Sequence, residues 1–298
     1  MEKKPIAIAC RMDSERAIKL AKQIFEFLVQ KGEVIYLETR IAPKIFPHNG
    51  MDLGEMSSAN IKFIVVVGGD GSILRVANGL SQQDPPPILG VNIGSIGFLD
   101  ESNERTVFKD LIKVLNGEFD YETCSKITPY LVKNSDEIQL SNALNEVLVV
   151  SSKSSKVLQV SIRIDNIFLN RSYLDGVIIS TSTGSTAYNL SAGGAIVTPN
   201  IEIMQITPLN SFAGSGLKPM IVPIDSEVEI QLLRPRLDGK IVIDGQRTIK
   251  KIPPNSKIRI RKSKSRTKFI RFDKSYYSRL RKKILSTVRI PIDDSPEE

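Results

Sequence analysis

The stretch Ile61-Lys62-Phe63-Ile64-Val65-Val66-Val67-Gly68-Gly69-Asp70-Gly71-Ser72 decides the fold. Five of its first seven residues are β-branched aliphatics, and this near-continuous apolarity predicts a strand over 61–67 covered on both faces, as in a parallel sheet. The chain then turns on glycines, and Ile73, Leu74, Val76 and Ala77 follow at helical spacing within 72–80. Where a strand opens through glycines onto a helix, backbone N–H groups without neighbouring β-carbons can converge on an anion. Gly68-Gly69-Asp70-Gly71 therefore reads as a phosphate cradle. An acid inside it repels phosphate unless a cation or an acceptor hydroxyl stands between. Asp70 is thus the candidate to orient and deprotonate an attacking alcohol, with Mg2+ carried by the donor nucleotide. A tight turn capped by Asp70 is the plain alternative.

Outward from this turn the pattern stays α/β. Residues 5–10 and 34–37 read as strands, and 14–30 as a helix with Ala17, Ile18, Leu20, Ala21, Ile24, Phe25 and Leu28 at helical spacing and Ser14 as its cap. A Pro- and Gly-containing connection covers 41–60. The strand at 88–92 delivers Gly94-Ser95-Ile96-Gly97-Phe98-Leu99 to the same rim as the glycine turn, and a helix over 104–116 closes a Rossmann-like unit at 1–120. Beyond Gly117 short β-like runs dominate, predicting an all-β, sandwich-like second domain over 121–275. A basic helix near 275–284 and an acidic tail that frays follow, and the segment 276–298 is expected to pack back on the α/β unit.

The chain has 298 residues, 41% hydrophobic and 25% charged, a size at which one core usually divides in two. Its apolar runs are too short to cross a bilayer, and the N-terminus shows no export segment, so a cytoplasmic protein without membrane contact is expected. Cys10 and Cys124 lie far apart and are expected to be free buried thiols, while His48 is the single histidine. A histidine-based triad and a multi-histidine metal site are excluded, and no residue is assigned as a metal ligand. The net charge of +8 is local: residues 257–283 hold 13 Lys or Arg and one acid, leaving 28 basic and 32 acidic residues elsewhere. The alternation at 257–260 suggests the wet face of an edge strand. Attraction of a polyphosphate substrate is a second reading, and nucleic acid is disfavoured because no recognition motif accompanies the charge.

The second conspicuous segment runs from Asp175 to Gly194 and includes Thr183-Gly184-Ser185-Thr186-Ala187-Tyr188. It is dense in small hydroxyls and glycines, which suits a ligand surface at the start of a helix over 185–192. Thr183 to Thr186 can offer hydroxyls and free amides there, and Tyr188 can stack on a flat ring. Asn145-Glu146 supplies an amide and a carboxylate suited to ribose hydroxyls or an adenine edge. Neither a Gly-x-x-x-x-Gly-Lys-Ser/Thr loop nor a Gly-x-Gly-x-x-Gly fingerprint is present at the glycine turn, which argues against a P-loop enzyme and an ordinary dehydrogenase.

Five blocks together resemble the NAD kinase family: Gly68 to Ser72, Asn92 to Leu99, Leu144-Asn145-Glu146, Asp175 to Gly194, and Asp244-Gly245-Gln246. They span residues 60–250. The first block is shared with diacylglycerol and sphingosine kinases and phosphofructokinases; the run from Thr183 to Gly194 is far more selective. The resemblance implies transfer of a phosphoryl group from ATP or polyphosphate to the 2′-hydroxyl of the adenosine ribose of NAD. It implies that Asp70 meets the reacting hydroxyl, that Asn145 and Glu146 hold NAD, and that Asp175, Thr186, Ala187, Tyr188 and Ser191 line the dinucleotide pocket. It adds Gly68, Gly69, Gly71, Ser72, Asn92, Gly94, Phe98, Thr183, Gly184, Ser185, Asp244 and Gln246 to the nucleotide-binding set. It further implies a homodimer or homotetramer in which the second domain helps build neighbouring pockets.

Three departures from the family pattern stand out. Ser182 replaces a common proline, Ser72 a frequent threonine, and 208–219 lacks the usual His-Ser and Arg, with Lys218 as a remaining cation. A lipid kinase and a noncatalytic nucleotide sensor are the competing accounts.

Overall fold

The computed structural model describes residues 3–80, 84–94, 97–133, 136–153, 156–212, 217–234, 236–272 and 276–284. The acidic tail beyond 284, Ser95 and Ile96 of the second glycine loop, and residues 213–216 of the divergent loop lie outside them.

Four parallel strands form the centre of the first half, in the order Ile35–Glu38, Ile6–Cys10, Ile64–Val67, Ile88–Asn92. All but one of their residues are buried, which is why the sequence reads as continuous apolar runs. Ile6 and Ile8 pack with Leu20 and Ile24 of the helix Glu15–Gln30, whereas Ala7 and Ala9 face Ile73 and Val76 of the helix Asp70–Gly79. Ser14 caps the first helix, its hydroxyl accepting from the N–H of Ala17 at 3.3 Å. The helix Val107–Asn116 buries Val107, Leu111 and Val114 and ends on Gly117 in the left-handed region, φ +79°.

The second half is a sandwich. An antiparallel sheet of six strands, with Gly176–Thr181 and Glu146–Ser151 at its centre, packs through Val147, Val149, Val177 and Ile179 against Val160, Ile162, Ile230 and Ile258 of the other sheet. That other sheet is continuous with the parallel one. Lys257–Arg271 pairs antiparallel with Asp120–Lys133 and with Val228–Leu232, and its far end joins Ile88–Asn92 in parallel, Phe269 opposite Ile88.

Several sequence expectations are corrected here. Lys257–Arg271 is a central strand rather than an edge. Its outward arginines Arg259 and Arg261 pair with Glu137, on the strand beyond Asp120–Lys133, and with Glu227 and Glu229 on the other side. The local basic charge is thereby largely neutralised. The strand expected at 61–67 begins at Ile64, because the ladder to Ile6–Cys10 starts with Ala7 opposite Ile64. The helix expected from 72 begins at Asp70. The one expected from 104 begins at Val107, because residues 103–106 form a turn held by Asn103. The helix expected over 185–192 is instead two four-residue turns, Thr183–Thr186 and Tyr188–Ser191, broken at Ala187 with ψ −133°.

Candidate active site

The glycine turn, the 93–100 loop and Arg11 all follow the carboxyl ends of parallel strands, the edge where such sheets gather ligands. Asp70 is the first residue of its helix and is half-buried. Its Oδ2 accepts from the N–H of Phe98 at 2.8 Å and its Oδ1 from the N–H of Leu99 at 3.1 Å. Gly68 is required by a close approach, since a β-carbon there would lie 2.5 Å from Oγ of Ser72.

The loop that holds Asp70 is itself braced. Asn92 is buried; its amide donates to Asp100 at 2.7 Å and its Oδ1 accepts from the N–H of Gly94 at 2.6 Å. Gly97 also donates its N–H to Asp100. Burial pushes the Asp100 carboxyl up from the ordinary aspartate range. The C-terminal helix Tyr276–Ile284 closes against the same loop. Its Arg279 pairs with Glu122, and the Lys283 ammonium lies 4.6 Å from the Phe98 ring centroid, burial lowering its pKa to about 8. Asp100 and Lys283 escaped the sequence reading because no local pattern marks them.

Beside the turn lies a cleft of about 470 Å3 lined by Arg11, Arg40, Arg75, Gly69, Gly71, Ser72 and Gln246, among others. Arg75 forks onto the buried Glu38 through two 2.6 Å hydrogen bonds, Arg40 reaches the same carboxylate at 3.4 Å, and Arg11 pairs with Asp13 at 2.7 Å. Three guanidiniums distant in sequence thus converge where a phosphate chain would approach the helix N-terminus. Sequence spacing gave no sign of them, since only the strand order brings them together.

On the other side, Asn145 is half-buried and Glu146 is buried. Among the described residues Oε2 of Glu146 has no hydrogen-bond partner, and burial together with the Asp244 charge pushes the Glu146 carboxyl up to about 8. The two chemically rich segments are packed directly on each other: a β-carbon on Gly184 would lie 2.1 Å from the carbonyl oxygen of Asn145. The turn 244–246 touches both halves of the site. Gln246 donates to the carbonyl of Gly71 at 2.6 Å, while the Asp244 carboxylate is buried beneath residues 144–146 and accepts from their N–H groups.

Within 182–194 the hydroxyls divide. Ser185 is fully buried, and its Oγ both donates to the carbonyl of Val197 and accepts from its N–H, each at 3.0 Å. Ser182 donates to the carbonyl of Ile201. These side chains brace the loop. Thr183, Thr186 and Ala187 are half-buried, and Tyr188 and Ser191 are exposed, forming the outward face. Asp175 is elsewhere: it accepts from Asn210 at 2.9 Å, at the opposite end of the strand Gly176–Thr181. A six-residue strand spans roughly 20 Å, so one chain does not bring Asp175 to Tyr188. Cys10 and Cys124 are free and buried. Among the described residues no three His, Cys, Asp or Glu side chains gather into a metal site.

The family of ATP-NAD kinase N-terminal domains matches residues 6–119, and that of ATP-NAD kinase C-terminal domains matches 144–272. An NAD kinase from Methanopyrus kandleri is 34% identical over 281 residues, which cover 94% of this chain and 97% of that protein. The crystal structure of an NAD kinase from Archaeoglobus fulgidus in complex with ATP is similar with a TM-score of 0.74 at 28% identity, over 93% of this chain and 98% of that one. Yeast NADH kinase complexed with NADH shares the fold, with a TM-score of 0.84 over 99% of this chain and 91% of its own at 21% identity.

Proposed function

This chain belongs to the NAD kinase family and phosphorylates NAD to NADP, and we propose that Asp70 is the group that meets the reacting ribose hydroxyl. The observation that carries the assignment is the Asp70 carboxylate, fixed by the N–H groups of Phe98 and Leu99 at the edge of an arginine-lined cleft. A carboxylate so held can take the proton of the 2′-hydroxyl as its oxygen attacks the terminal phosphorus. The bond from that phosphorus to the donor's bridging oxygen breaks, and the shortened donor leaves with the electron pair, without a phosphoenzyme.

The donor phosphates are assigned to the glycine turn and to Arg11, Arg40 and Arg75, whose charge exceeds that of their partners Glu38 and Asp13 and leaves the cluster net positive. A divalent cation bound with the donor would supply neutralisation of charge on the transferred group, with no side chain of this chain assigned to hold it. On the acceptor side, Asn145 and the unpartnered Oε2 of Glu146 suit ribose hydroxyls, and exposed Tyr188 offers a ring face to the adenine. Because Asp175 lies at the far end of its strand from Tyr188, a homo-oligomer is proposed in which a second copy brings Asp175 to the pocket. Among the described residues no helix is long and apolar enough to cross a membrane, and a cytoplasmic location is proposed. Nucleic acid is not a proposed partner, because the basic strand is already paired with glutamates.

The test is incubation of the purified chain with Mg2+, ATP or polyphosphate, and NAD or NADH, followed by separation of products. NADP formed from NAD, with the new phosphate on the 2′-oxygen, is expected. No phosphorylated dinucleotide with any donor would contradict the activity and favour a nucleotide sensor.

A further inference from the structure

Asp244 carries a buried charge that a surface turn does not need. The turn takes left-handed geometry at both Asp244 and Gly245, φ +49° and +65°, and this turns the side chain inward, where it is 5% exposed. Oδ1 accepts from the N–H of Asn145 at 2.8 Å and of Glu146 at 2.9 Å. Oδ2 accepts from the N–H of Leu144 at 2.8 Å and from the side-chain amide of Asn78 at 2.7 Å. Three consecutive backbone donors on one carboxylate fix the course of the chain through the pair assigned to NAD.

Asn78 lies in the last turn of the helix that starts at Asp70, about 12 Å along its axis. Its own Oδ1 is buried without a partner among the described residues, so the amide sits there at a cost that its bond to Asp244 offsets. The same helix end is held by Lys126, whose fully buried ammonium donates to the carbonyls of Ala77 and Leu80.

We propose that Asp244 is a positioning residue: through Asn78 it ties the Asn145-Glu146 pair to the far end of the Asp70 helix, so that acceptor site and proton acceptor keep one spacing. The inference rests on the roles assigned above to Asp70 and to Asn145-Glu146. The four hydrogen bonds to the Asp244 carboxylate all come from the protein, so its effect is argued through Asn78 and residues 144–146. The helix acts as a strut, with Asp70 at one end and the Asp244 anchor at the other. Asp244 also acts on Glu146 through its charge, as the charged neighbour that adds to burial in keeping Glu146 protonated, while Lys126 faces Asp244 in turn.

The test compares wild type, Asn78→Leu and Asp244→Asn as full chains, measuring melting temperature, steady-state kinetics and the pH profile of KM for NAD. For Asn78→Leu, kcat/KM for NAD falls roughly tenfold while KM for the donor stays within about twofold, because misplacement of the acceptor is felt in the transition state. For Asp244→Asn, the pH at which KM for NAD changes moves to lower values, since the neighbouring negative charge is gone. A purely structural role would lower the melting temperature and leave both readouts unchanged in the folded enzyme, and that result overturns the proposal. If Asp244→Asn does not fold, the half-buried Asn78→Leu decides alone. Wild type that makes no NADP would instead remove the functional reading itself.

Discussion

A β-carbon on Gly97 would lie 1.9 Å from Oδ1 of Asp70. The carboxylate is packed directly on the backbone of the loop that also donates to it through Phe98 and Leu99. Glycine at 97 is therefore a condition of where Asp70 sits. Gly97→Ala forces the carboxylate or the loop to move, and kcat is expected to fall on the order of 100-fold with a much smaller change in KM for NAD. Steady-state kinetics on the folded variant check this.

Arg11 is exposed and, among the described residues, its guanidinium pairs with the exposed Asp13, so its removal disturbs little of the fold. Arg11→Ala is expected to raise KM for the phosphoryl donor several-fold and to leave KM for NAD unchanged. An effect confined to NAD would place the arginine cleft on the acceptor side.

Tyr188 is 46% exposed, on the outward face of a loop braced from within by Ser182 and Ser185. A stacked base is worth about 1–3 kcal/mol, so Tyr188→Ala should raise KM for NAD roughly tenfold. Unchanged binding of NAD by calorimetry would remove the residue from the pocket.

Glu146 gives a pH dependence of defined sign. With its folded pKa raised to about 8, the native state keeps a proton that the unfolded chain loses near the ordinary glutamate range. Native protein then binds more protons than unfolded protein between those values, so this residue makes stability fall as pH rises toward 8. Glu146→Gln removes that slope. Denaturation measured from pH 5 to 8 should show the variant gaining on wild type by as much as about 1.4 kcal/mol per pH unit, and parallel curves would contradict the assignment.

The α/β half was legible because each parallel strand is buried on both faces, and Ile64–Val67 running into Gly68 leaves little other reading. Asp70, Asn145 and Glu146 stood out for the opposite reason, as polar groups beside apolar runs without local partners. What stayed hidden depends on long-range pairing. Arg259 and Arg261 look like a free basic stripe until Glu137, Glu227 and Glu229 are brought alongside by the sheet. The bonds of Ser185 to Val197 and of Asp244 to residues 144–146 are equally invisible in the sequence. Short polar side chains satisfy backbone groups as readily as ligands, and sequence alone does not separate the two.

The most direct measurement is the single-turnover rate of NADP formation by Asp70→Asn at saturating NAD and donor, alongside its dissociation constant for NAD. The rate is expected to fall by about 100-fold or more while NAD affinity stays within a few-fold of wild type. A rate equal to that of wild type would mean that the carboxylate between Phe98 and the glycine turn does not take part in phosphoryl transfer.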